Sequence, residues 1–271
     1  MPRCDRFAPM IQPPPRLDVA LIPALSDNYI HLLRCGATGV VAVVDPAEAA
    51  PVTAVLERRG WTLDLIINTH HHGDHVGGNL DLKARYGAAI VGPAADRDRI
   101  PGIDRAIADG ESFTVGACPL TGIDVPGHTR GHIAFHGAED AVLFSGDTLF
   151  SMGCGRLFEG TPAQMWRSLT RLRALPPETI VYCGHEYTAG NGRFALTLEP
   201  DNADLAARMR EVTALRADDR PTLPTTLAVE RATNPFLRAD LPALAAAVGL
   251  ADSDPVAVFA EIRRRKDDFR G

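Results

Sequence analysis

Apolar residues form short runs through the first two thirds of the chain and helical patterns in the last third. β-branched stretches between residues 17 and 45, separated by turn residues, predict strands, and so do further stretches between 112 and 145. The continuous apolar run at 63–69 is typical of a strand buried on both faces, and the run at 179–183 predicts the last strand. The alternation of strands with helical segments predicts a layered body with mixed sheets.

Helices are predicted at about 47–59, at about 77–86 and from Thr161 onward, where Pro162 occupies the first helical position. Towards the C-terminus the chain becomes rich in Ala, Leu and Arg, and its apolar residues lie three and four positions apart, which indicates further helices. We therefore predict an α+β fold with three parts: a Pro-rich tail at 1–16, a layered body at 17–187 and a small helical domain at 188–271.

Composition limits the partners that we expect. The 271 residues carry a formal net charge of −6, whereas a dedicated nucleic-acid binder usually has a basic surface, so we expect no nucleic-acid partner. No apolar run approaches the roughly 18 residues that a membrane helix needs, so we expect no membrane contact. The 5 cysteines form no C-x-x-C pair, which argues against a thiolate zinc site and a disulfide framework. Because the N-terminal residues lack a secretory signal pattern as well, we expect a cytoplasmic monomer.

A cluster of histidines lies in THHHGDH at 69–75, between a predicted buried strand and a helix. On an extended segment His70 and His72 project to the same side, whereas His71 faces away and is expected to pack or to support its neighbours. Asp74 and His75 follow in the turn, where a glycine permits a tight bend. Neutral imidazoles and a carboxylate that converge on one point are typical ligands of a zinc-like ion.

Three later strands also end in residues that could bind a metal: His128 in DVPGHTRGH, Asp147 in FSGDTLF and His185 in YCGHEYT. Each follows an apolar strand and a glycine, so each is expected on a loop at an edge of a sheet. Because ligands from several strand ends can converge on one cleft, the repeated pattern indicates a shared site. The histidines that lack this pattern are interpreted as structural: His31, His132 and His136.

The motifs THHHGDH, GHTRGH, GDTLF and GHEYT, in this order, resemble the metallo-β-lactamase superfamily, whose fold is an αββα sandwich. Within it the chain is similar to the glyoxalase II (hydroxyacylglutathione hydrolase) family. The finer matches are ALSDNY at 24–29, GCGRLFEGT at 153–161, NPFLR at 234–238 and RRRKDDF at 263–269. The resemblance implies that 17–187 is a catalytic sandwich and that the helical domain at 188–271 binds substrate.

The resemblance also implies a binuclear metal site. In this family pattern His70, His72 and His128 match the ligands of the first metal, Asp74, His75 and His185 match those of the second, and Asp147 matches the bridging carboxylate. Seven ligands are too many for one zinc ion, and a carboxylate has two oxygens with which to join two ions. Zinc is the expected metal, with iron or manganese as alternatives, because His and carboxylate ligands accept all three.

The reaction that the resemblance implies is hydrolysis of an S-(2-hydroxyacyl)glutathione, typically S-D-lactoylglutathione, to glutathione and D-lactate. A water shared by two divalent ions is acidified toward a pKa of about 7, and the resulting metal-bridging hydroxide can attack the thioester carbonyl. The metals can then stabilise the oxyanion and the departing thiolate. Asp74 and Asp147 are therefore expected to serve catalysis as well as metal binding.

Glutathione carries carboxylates, so cations are expected at the mouth of the site. The family match places Arg156 and Tyr187 there, and Arg263 and Lys266, which share a helix face, could clamp a glycine carboxylate. Where some family members have a second tyrosine this chain has Phe158, so one hydrogen bond to glutathione is expected to be missing.

Two alternative functions stay open from the sequence. A glutathione-dependent persulfide dioxygenase shares the metal motifs, but it uses a single iron and normally lacks a helical extension with Arg263 and Lys266. The other alternative is a non-catalytic metal-binding protein of the same fold. The presence of all seven ligand positions argues against this second alternative.

Overall fold

The structure, a computed structural model, describes residues 17–271, so the predicted Pro-rich tail at 1–16 lies outside the described residues. The first of two mixed sheets contains six strands in chain order: β1 (Leu17–Ala24), β2 (Asn28–Cys35), β3 (Val41–Val44), β4 (Leu65–Ile67), β5 (Ala89–Pro93) and β6 (Arg105–Ile107). β1, β2 and β3 are antiparallel neighbours, whereas β3 to β6 are parallel to one another.

The second sheet also has six strands, and its spatial order is β14-β13-β10-β9-β8-β7. These strands are β7 (Ser112–Val115), β8 (Cys118–Asp124), β9 (Ile133–Gly137), β10 (Val142–Gly146), β13 (Ile180–Cys183) and β14 (Thr225–Thr226). Between them in the chain, β11 (Leu149–Phe150) and β12 (Gly153–Cys154) form a small ribbon. β10 and β13 are parallel neighbours, so their carboxyl ends lie at the same edge.

The helices are α1 (Ala49–Arg59), α2 (Gly73–Val76), α3 (Asn79–Tyr86), α4 (Pro162–Arg173), α5 (Thr188–Leu198), α6 (Ala203–Ala217), α7 (Leu227–Thr233), α8 (Pro242–Ala247) and α9 (Pro255–Asp268). Short 3-10 turns cover Ala94–Arg99 and Pro235–Leu237. α4 begins with a capping box, in which the Thr161 side chain accepts from the backbone of Gln164 and the Gln164 side chain accepts in return from the backbone of Thr161. Of the described residues, none belongs to a helix with the length and apolar content needed to cross a membrane.

Three apolar layers hold the sheets and helices together. Alternate residues of facing strands, such as Val44 and Phe144, fill the space between the two sheets. The other face of the first sheet packs on α1 and α3, for example through Leu56, and the outer face of the second sheet packs on α4. This is the predicted αββα sandwich, and the α+β prediction is confirmed.

The C-terminal helices share much of their core with the second sheet and α4. Phe194 of α5 and Phe259 of α9 belong to the same buried cluster as Leu143 of β10 and Met165 of α4. The division of the chain at 187/188 into two domains therefore stays a prediction.

Most predicted elements are present, and the differences concern short ones. The helices predicted from about 47 and 77 begin at Ala49 and Asn79. The prediction that 179–183 is the last strand was wrong, because the two-residue strand β14 adds to the sheet edge beside β13. Strands this short are defined by their partner rather than by a local pattern.

Candidate metal centre and cleft

The histidines and aspartates singled out in the sequence follow strands of both sheets, five of them on loops and Asp74 and His75 in the short helix α2. His70 and His72 follow β4, and His128 follows β8. Asp147 and His185 come directly after the parallel strands β10 and β13. The carboxyl ends of parallel neighbours lie at one edge of a sheet, which is why residues far apart in the chain meet here.

His70, His72 and His128 form the first cluster. The Nε2 atoms of His70 and His128 lie 3.1 and 3.0 Å from Nδ1 of His72. Nδ1 of His128 lies 3.0 Å from the carbonyl oxygen of Arg156, and since a carbonyl only accepts, this nitrogen carries the proton. The Nε2 lone pair of His128 therefore points into the cluster.

The second cluster consists of Asp74, His75 and His185, whose candidate metal-binding atoms all lie within 4.8 Å of one another. Nδ1 of His75 donates to Asp45 Oδ2 at 3.0 Å, and Nδ1 of His185 donates to Asp27 Oδ1 at 2.7 Å. With the protons held there, the two Nε2 lone pairs face each other at 3.3 Å. Two facing lone pairs repel unless a proton or a metal cation lies between them.

Asp147 lies between the two clusters. Its Oδ1 is 3.5 Å from Nε2 of His75, and its Oδ2 is 3.3 Å from Nε2 of His185 and 3.5 Å from Nε2 of His128. Oδ1 is buried and has no hydrogen-bond partner among residues 17–271. An orphaned carboxylate oxygen beside facing imidazole lone pairs fits two cations joined by one carboxylate.

The electrostatics of the pocket agree with this geometry. Burial and the neighbouring His75 lower the pKa of His70 well below its usual value, so His70 is neutral. Burial also acts against charge on His75, but Asp147 and Asp45 raise the pKa of His75 well above its usual value. Burial acts against ionisation of Asp147 too, yet His75 and His185 hold its pKa well below the usual range. The pocket thus stabilises positive charge next to an ionised Asp147.

Asp45 and Thr69, which sequence analysis did not single out, orient these imidazoles. Asp45 accepts the backbone N–H of Thr69 at 2.8 Å, its hydroxyl at 2.6 Å and Nδ1–H of His75. The Thr69 oxygen in turn accepts Nδ1–H of His70 at 3.0 Å, which leaves Nε2 of His70 free to bind. Asp45 follows strand β3, so the pattern of an apolar strand followed by a polar residue could have identified it.

His132, interpreted from sequence as structural, lies behind the clusters. Its ring stacks on that of His70 with centroids 4.6 Å apart, and its Nε2 accepts the backbone N–H of Asp147 at 3.0 Å. His132 therefore fixes the backbone of Asp147 from behind the clusters. His31 bonds the carbonyl oxygen of Cys183, and His136 lies on β9.

His71 points away from both clusters, into a network of charged groups. Its Nδ1 donates to the buried Asp96 at 2.8 Å. Arg99 pairs with Asp96 and also with both oxygens of Glu159, at 2.5 and 3.1 Å. Glu159 accepts the backbone N–H of Arg130 at 2.8 Å as well. The network thus ties the histidine loop to the segment 153–161.

A cleft of about 640 Å³ opens over the clusters. Its base includes His72, Asp74, His128 and Asp147, and its walls include Arg156, Phe158, Tyr187, Arg263 and Lys266. The substrate-binding residues expected from the sequence therefore line the same cavity as the metal-binding groups. A groove of about 710 Å³ between α1 and α3 contains none of these residues.

Four of the five wall residues are held in different ways. The Tyr187 ring stacks on His185, with centroids 4.7 Å apart. Arg263 is buried and donates to the carbonyl oxygen of Cys154 and to Asp267, both at 2.9 Å. Lys266 is half-buried, and burial together with Arg263 lowers its pKa. The Arg156 side chain is 63% exposed.

Phe158 lines the cleft, and Glu230 holds a turn of the chain that precedes it. Phe158 is 62% exposed, and its ring lies edge-to-face against His72 and His128. Glu230 of α7 is buried and accepts the hydroxyl of Ser151 at 3.0 Å and the backbone N–H of Met152 at 2.7 Å. Met152 has φ 54°, so this contact holds a strained turn beside the cleft.

Comparison with known proteins places the chain in a family. A family model described as "Metallo-beta-lactamase superfamily" matches residues 27–185, and one described as "Hydroxyacylglutathione hydrolase C-terminus" matches residues 186–269. A hydroxyacylglutathione hydrolase of Methylococcus capsulatus is 58% identical over 255 residues, which is 94% of this chain and 100% of that protein.

Solved structures share the fold at lower identity. ETHE1 from Myxococcus xanthus superimposes with a TM-score of 0.66 at 24% identity, covering 91% of this chain and 90% of that chain. TTHA1623 in a di-iron-bound form superimposes with a TM-score of 0.58 at 26% identity, covering 79% of this chain and 98% of that chain. The near full-length match at high identity decides the branch: the chain belongs to the hydroxyacylglutathione hydrolase family of the metallo-β-lactamase superfamily.

Proposed function

We propose that this chain is a hydroxyacylglutathione hydrolase that cleaves an S-(2-hydroxyacyl)glutathione, such as S-D-lactoylglutathione, to glutathione and D-lactate. The observation that carries this proposal is the cleft itself, which combines two metal-binding clusters with the cations Lys266 and Arg156. Hydrolysis of the thioester needs an activated water at the base of the cleft. The carboxylates of the glutathione part of the substrate need positive charge on the wall of the cleft.

We assign the metal-binding atoms as the sequence predicted. One ion would be held by His70, His72 and His128, the other by Asp74, His75 and His185, and Asp147 would reach both. The facing Nε2 lone pairs and the orphaned Oδ1 of Asp147 support a pair of ions. Zinc is the metal that we propose, with iron and manganese as alternatives for the same ligand set. When bound, the ions would act as Lewis acids and lower the pKa of a water molecule toward about 7.

Asp74 is suited to orient the attacking water. Its carboxylate lines the cleft, and Oδ2 accepts a hydrogen bond from Nδ2 of Asn28 at 3.1 Å. Although burial acts in the opposite direction, His75 and Asn28 lower the pKa of Asp74, which is therefore ionised at neutral pH. An ionised carboxylate can accept a hydrogen bond from the water and point its lone pair at the thioester carbonyl.

The walls of the cleft bind and orient the substrate. Lys266 and Arg156 supply positive charge for a carboxylate of the glutathione portion, and Tyr187 can donate its hydroxyl. Arg263 holds the carbonyl of Cys154 and so supports the segment that carries Arg156. Phe158 covers His72 and His128 from the cleft side and limits the access of bulk water.

The proposal is tested by measuring hydrolysis of S-D-lactoylglutathione with purified protein of known metal content. We expect rapid thioester loss, abolition by a chelator and recovery when a divalent metal is restored. Absence of hydrolysis with two metals bound would reject this substrate. Oxygen consumption with glutathione persulfide and a single bound iron would instead support the dioxygenase alternative.

Replacing the proposed bridge gives a second test. Asp147→Ala removes the carboxylate that contacts His75, His128 and His185, so we expect loss of bound metal and a fall in kcat of at least 100-fold. Asp109→Ala is the matched control, because Asp109 is a surface carboxylate paired with Arg171. Metal content and activity near those of the control would contradict the assignment of two ions.

We further propose that the protein acts as a cytoplasmic monomer without a nucleic-acid partner. The net charge of −6 supports the last part. Size-exclusion chromatography with light scattering measures the oligomeric state, and a mass of one chain is the expected result.

A further inference from the structure

Two cysteines from opposite sheets lie in contact at the far edge of the sandwich. Cys35 is the last residue of β2 in the first sheet, and Cys118 is the first residue of β8 in the second. Their sulfur atoms are 3.5 Å apart, and the Cys118 thiol donates to Cys35 Sγ. Both are free and buried. A disulfide would require the sulfurs to approach from this contact distance to about 2.05 Å.

The surroundings make the two sulfurs chemically different. The backbone N–H of Ala117 donates to Cys35 Sγ at 3.4 Å. Burial acts against a thiolate at Cys35, but hydrogen bonds from Thr38, Ala117 and Cys118 outweigh it and lower its pKa to about 6. Burial and the contact with Cys35 raise the pKa of Cys118 to about 12, with Asp140 acting in the same direction. A thiolate thus lies beside a neutral thiol, as in cysteine pairs that react in two steps.

Among residues 17–271, an exposed turn adjoins each of the two cysteines. Residues 36–38 are exposed after β2, and Ala117 is exposed in the turn before β8. Gly116 has φ +61°, and a Cβ at this position would lie 3.1 Å from Cys35 Sγ. The glycine therefore lets the backbone amide of Ala117 approach the sulfur closely. These exposed turns are the side from which a small oxidant would approach the buried sulfurs.

We propose that Cys35 and Cys118 form a reversible, peroxide-oxidised disulfide that links the two sheets. The Cys35 thiolate attacks one oxygen of hydrogen peroxide, the O–O bond breaks, and Cys35 sulfenic acid and hydroxide form. The Cys118 sulfur then attacks Cys35 Sγ, the S–O bond breaks, and the departing oxygen leaves as water with the Cys118 proton. Two thiols are oxidised by two electrons in total, and the peroxide is reduced to the level of water.

The disulfide would form far from the metal-binding clusters. Asn28, at the other end of β2, contacts Asp74, and seven residues of strand at about 3.3 Å each place the thiols roughly 20 Å away. The inference therefore does not rest on the proposed hydrolysis, and its test does not use enzyme activity. A disulfide between Cys35 and Cys118 closes a long loop and so lowers the conformational entropy of the unfolded chain. We therefore expect it to stabilise the folded sandwich.

The experiment uses the full chain with Cys4→Ser, since Cys4 lies outside the described residues. After treatment with stoichiometric hydrogen peroxide we expect loss of two hydrogen atoms from the intact mass and one linked peptide pair that contains Cys35 and Cys118. The number of titratable thiols should fall from four, the free cysteines that remain in this variant, to two. Dithiothreitol should reverse these changes, and the oxidised form should have a Tm higher by several degrees.

Two matched variants identify the order of events. In Cys118→Ser we expect oxidation to stop at a Cys35 sulfenic acid that dimedone labels, and in Cys35→Ser we expect Cys118 to stay reduced. Cys154 and Cys183, which are also buried and free, serve as internal controls in the same peptide map. Oxidation at Cys154 or Cys183 before Cys35, a different linked pair, or equal peroxide reactivity of the parent and Cys35→Ser would overturn the proposal.

Discussion

Asp45 shows how a single carboxylate sets the state of two imidazoles. It accepts Nδ1–H of His75 directly and acts on His70 through the hydroxyl of Thr69. Its backbone lies in the left-handed region with φ 49°, which is uncommon for a residue with a side chain. The strain is tolerated because the carboxylate is buried and accepts three hydrogen bonds. Asp45 is therefore a positioning residue for both clusters.

Asp45→Asn tests this role at the residue scale. The amide keeps the size of the side chain but has one acceptor oxygen in place of two. It can therefore no longer accept hydrogen bonds from both His75 and Thr69, and the Nδ1 protons of His75 and His70 are less firmly held. We expect metal affinity to fall 10- to 100-fold, which is the usual effect of removing a group that orients metal-binding histidines. Chelator competition measures the change. Asp64→Asn is the control, because Asp64 accepts only the backbone N–H of Val41 in the same sheet; equal losses in the two variants would contradict the prediction.

At the scale of elements, the site is built from loops that charged groups hold together. The 3-10 turn Ala94–Arg99 supplies Arg99, which pairs with Glu159 of the 153–161 segment, and Glu159 in turn accepts a backbone N–H from the loop after β8. Although burial opposes it, the contact with Arg99 is the leading cause that lowers the pKa of Glu159 to about 2. Glu159 is thus ionised across the physiological range, and the segment with Arg156 and Phe158 stays fixed relative to the histidine loop.

Arg99→Ala should loosen this segment without removing a metal-binding group. We expect KM for a glutathione thioester to rise several-fold and kcat to change less, since Arg156 and Phe158 line the wall where we propose that substrate binds rather than the metal-binding base. Steady-state kinetics at fixed metal content measures both constants, and Arg99→Lys should restore part of the loss. Arg97→Ala, in the same turn but exposed, is the control. A fall in kcat with KM unchanged would show that the network acts on the chemistry instead.

Elements with a strong repeating pattern could be predicted from the sequence, and elements defined by their neighbours could not. The apolar run at 63–69 and the capping signal at Thr161 locate β4 and α4 because the pattern is local. β14 is two residues long and exists only because β13 offers it a partner. In the site, the metal-binding residues follow from strand ends and motifs, whereas Arg99 and Glu159 meet through a long-range contact that no local pattern encodes.

At the scale of the whole molecule, the cleft is formed by the sandwich and the C-terminal helices together. The proposed metal-binding residues come from the sandwich, but Lys266 and Arg263 come from α9, which packs on α4 through the shared apolar cluster. Arg263 already donates hydrogen bonds to the carbonyl oxygen of Cys154 and to Asp267. Lys266 is therefore the more available cation for a substrate carboxylate.

Reversing this charge tests how the C-terminal helix binds substrate. Lys266→Glu places a carboxylate beside the expected glutathione carboxylate, so we expect KM for S-D-lactoylglutathione to rise about 10-fold or more, with a smaller change in kcat. Arg264→Glu is the matched control, because it makes the same change of charge on the exposed side of α9. If a thioester without carboxylates lost as much activity in Lys266→Glu, the proposed contact with glutathione would be wrong.

The contact of Glu230 with Met152 shows that the cleft needs residues that are synthesised late. Every proposed metal-binding residue precedes position 186, but the buried carboxylate that holds the turn at Met152 lies in α7, and Lys266 lies in the last helix. A chain that is still being translated therefore exposes its full set of metal-binding residues before it can form the wall of its cleft. The residues that complete the core and the wall of the cleft are therefore among the last to be made, so substrate binding depends on the final segment of the chain to be synthesised.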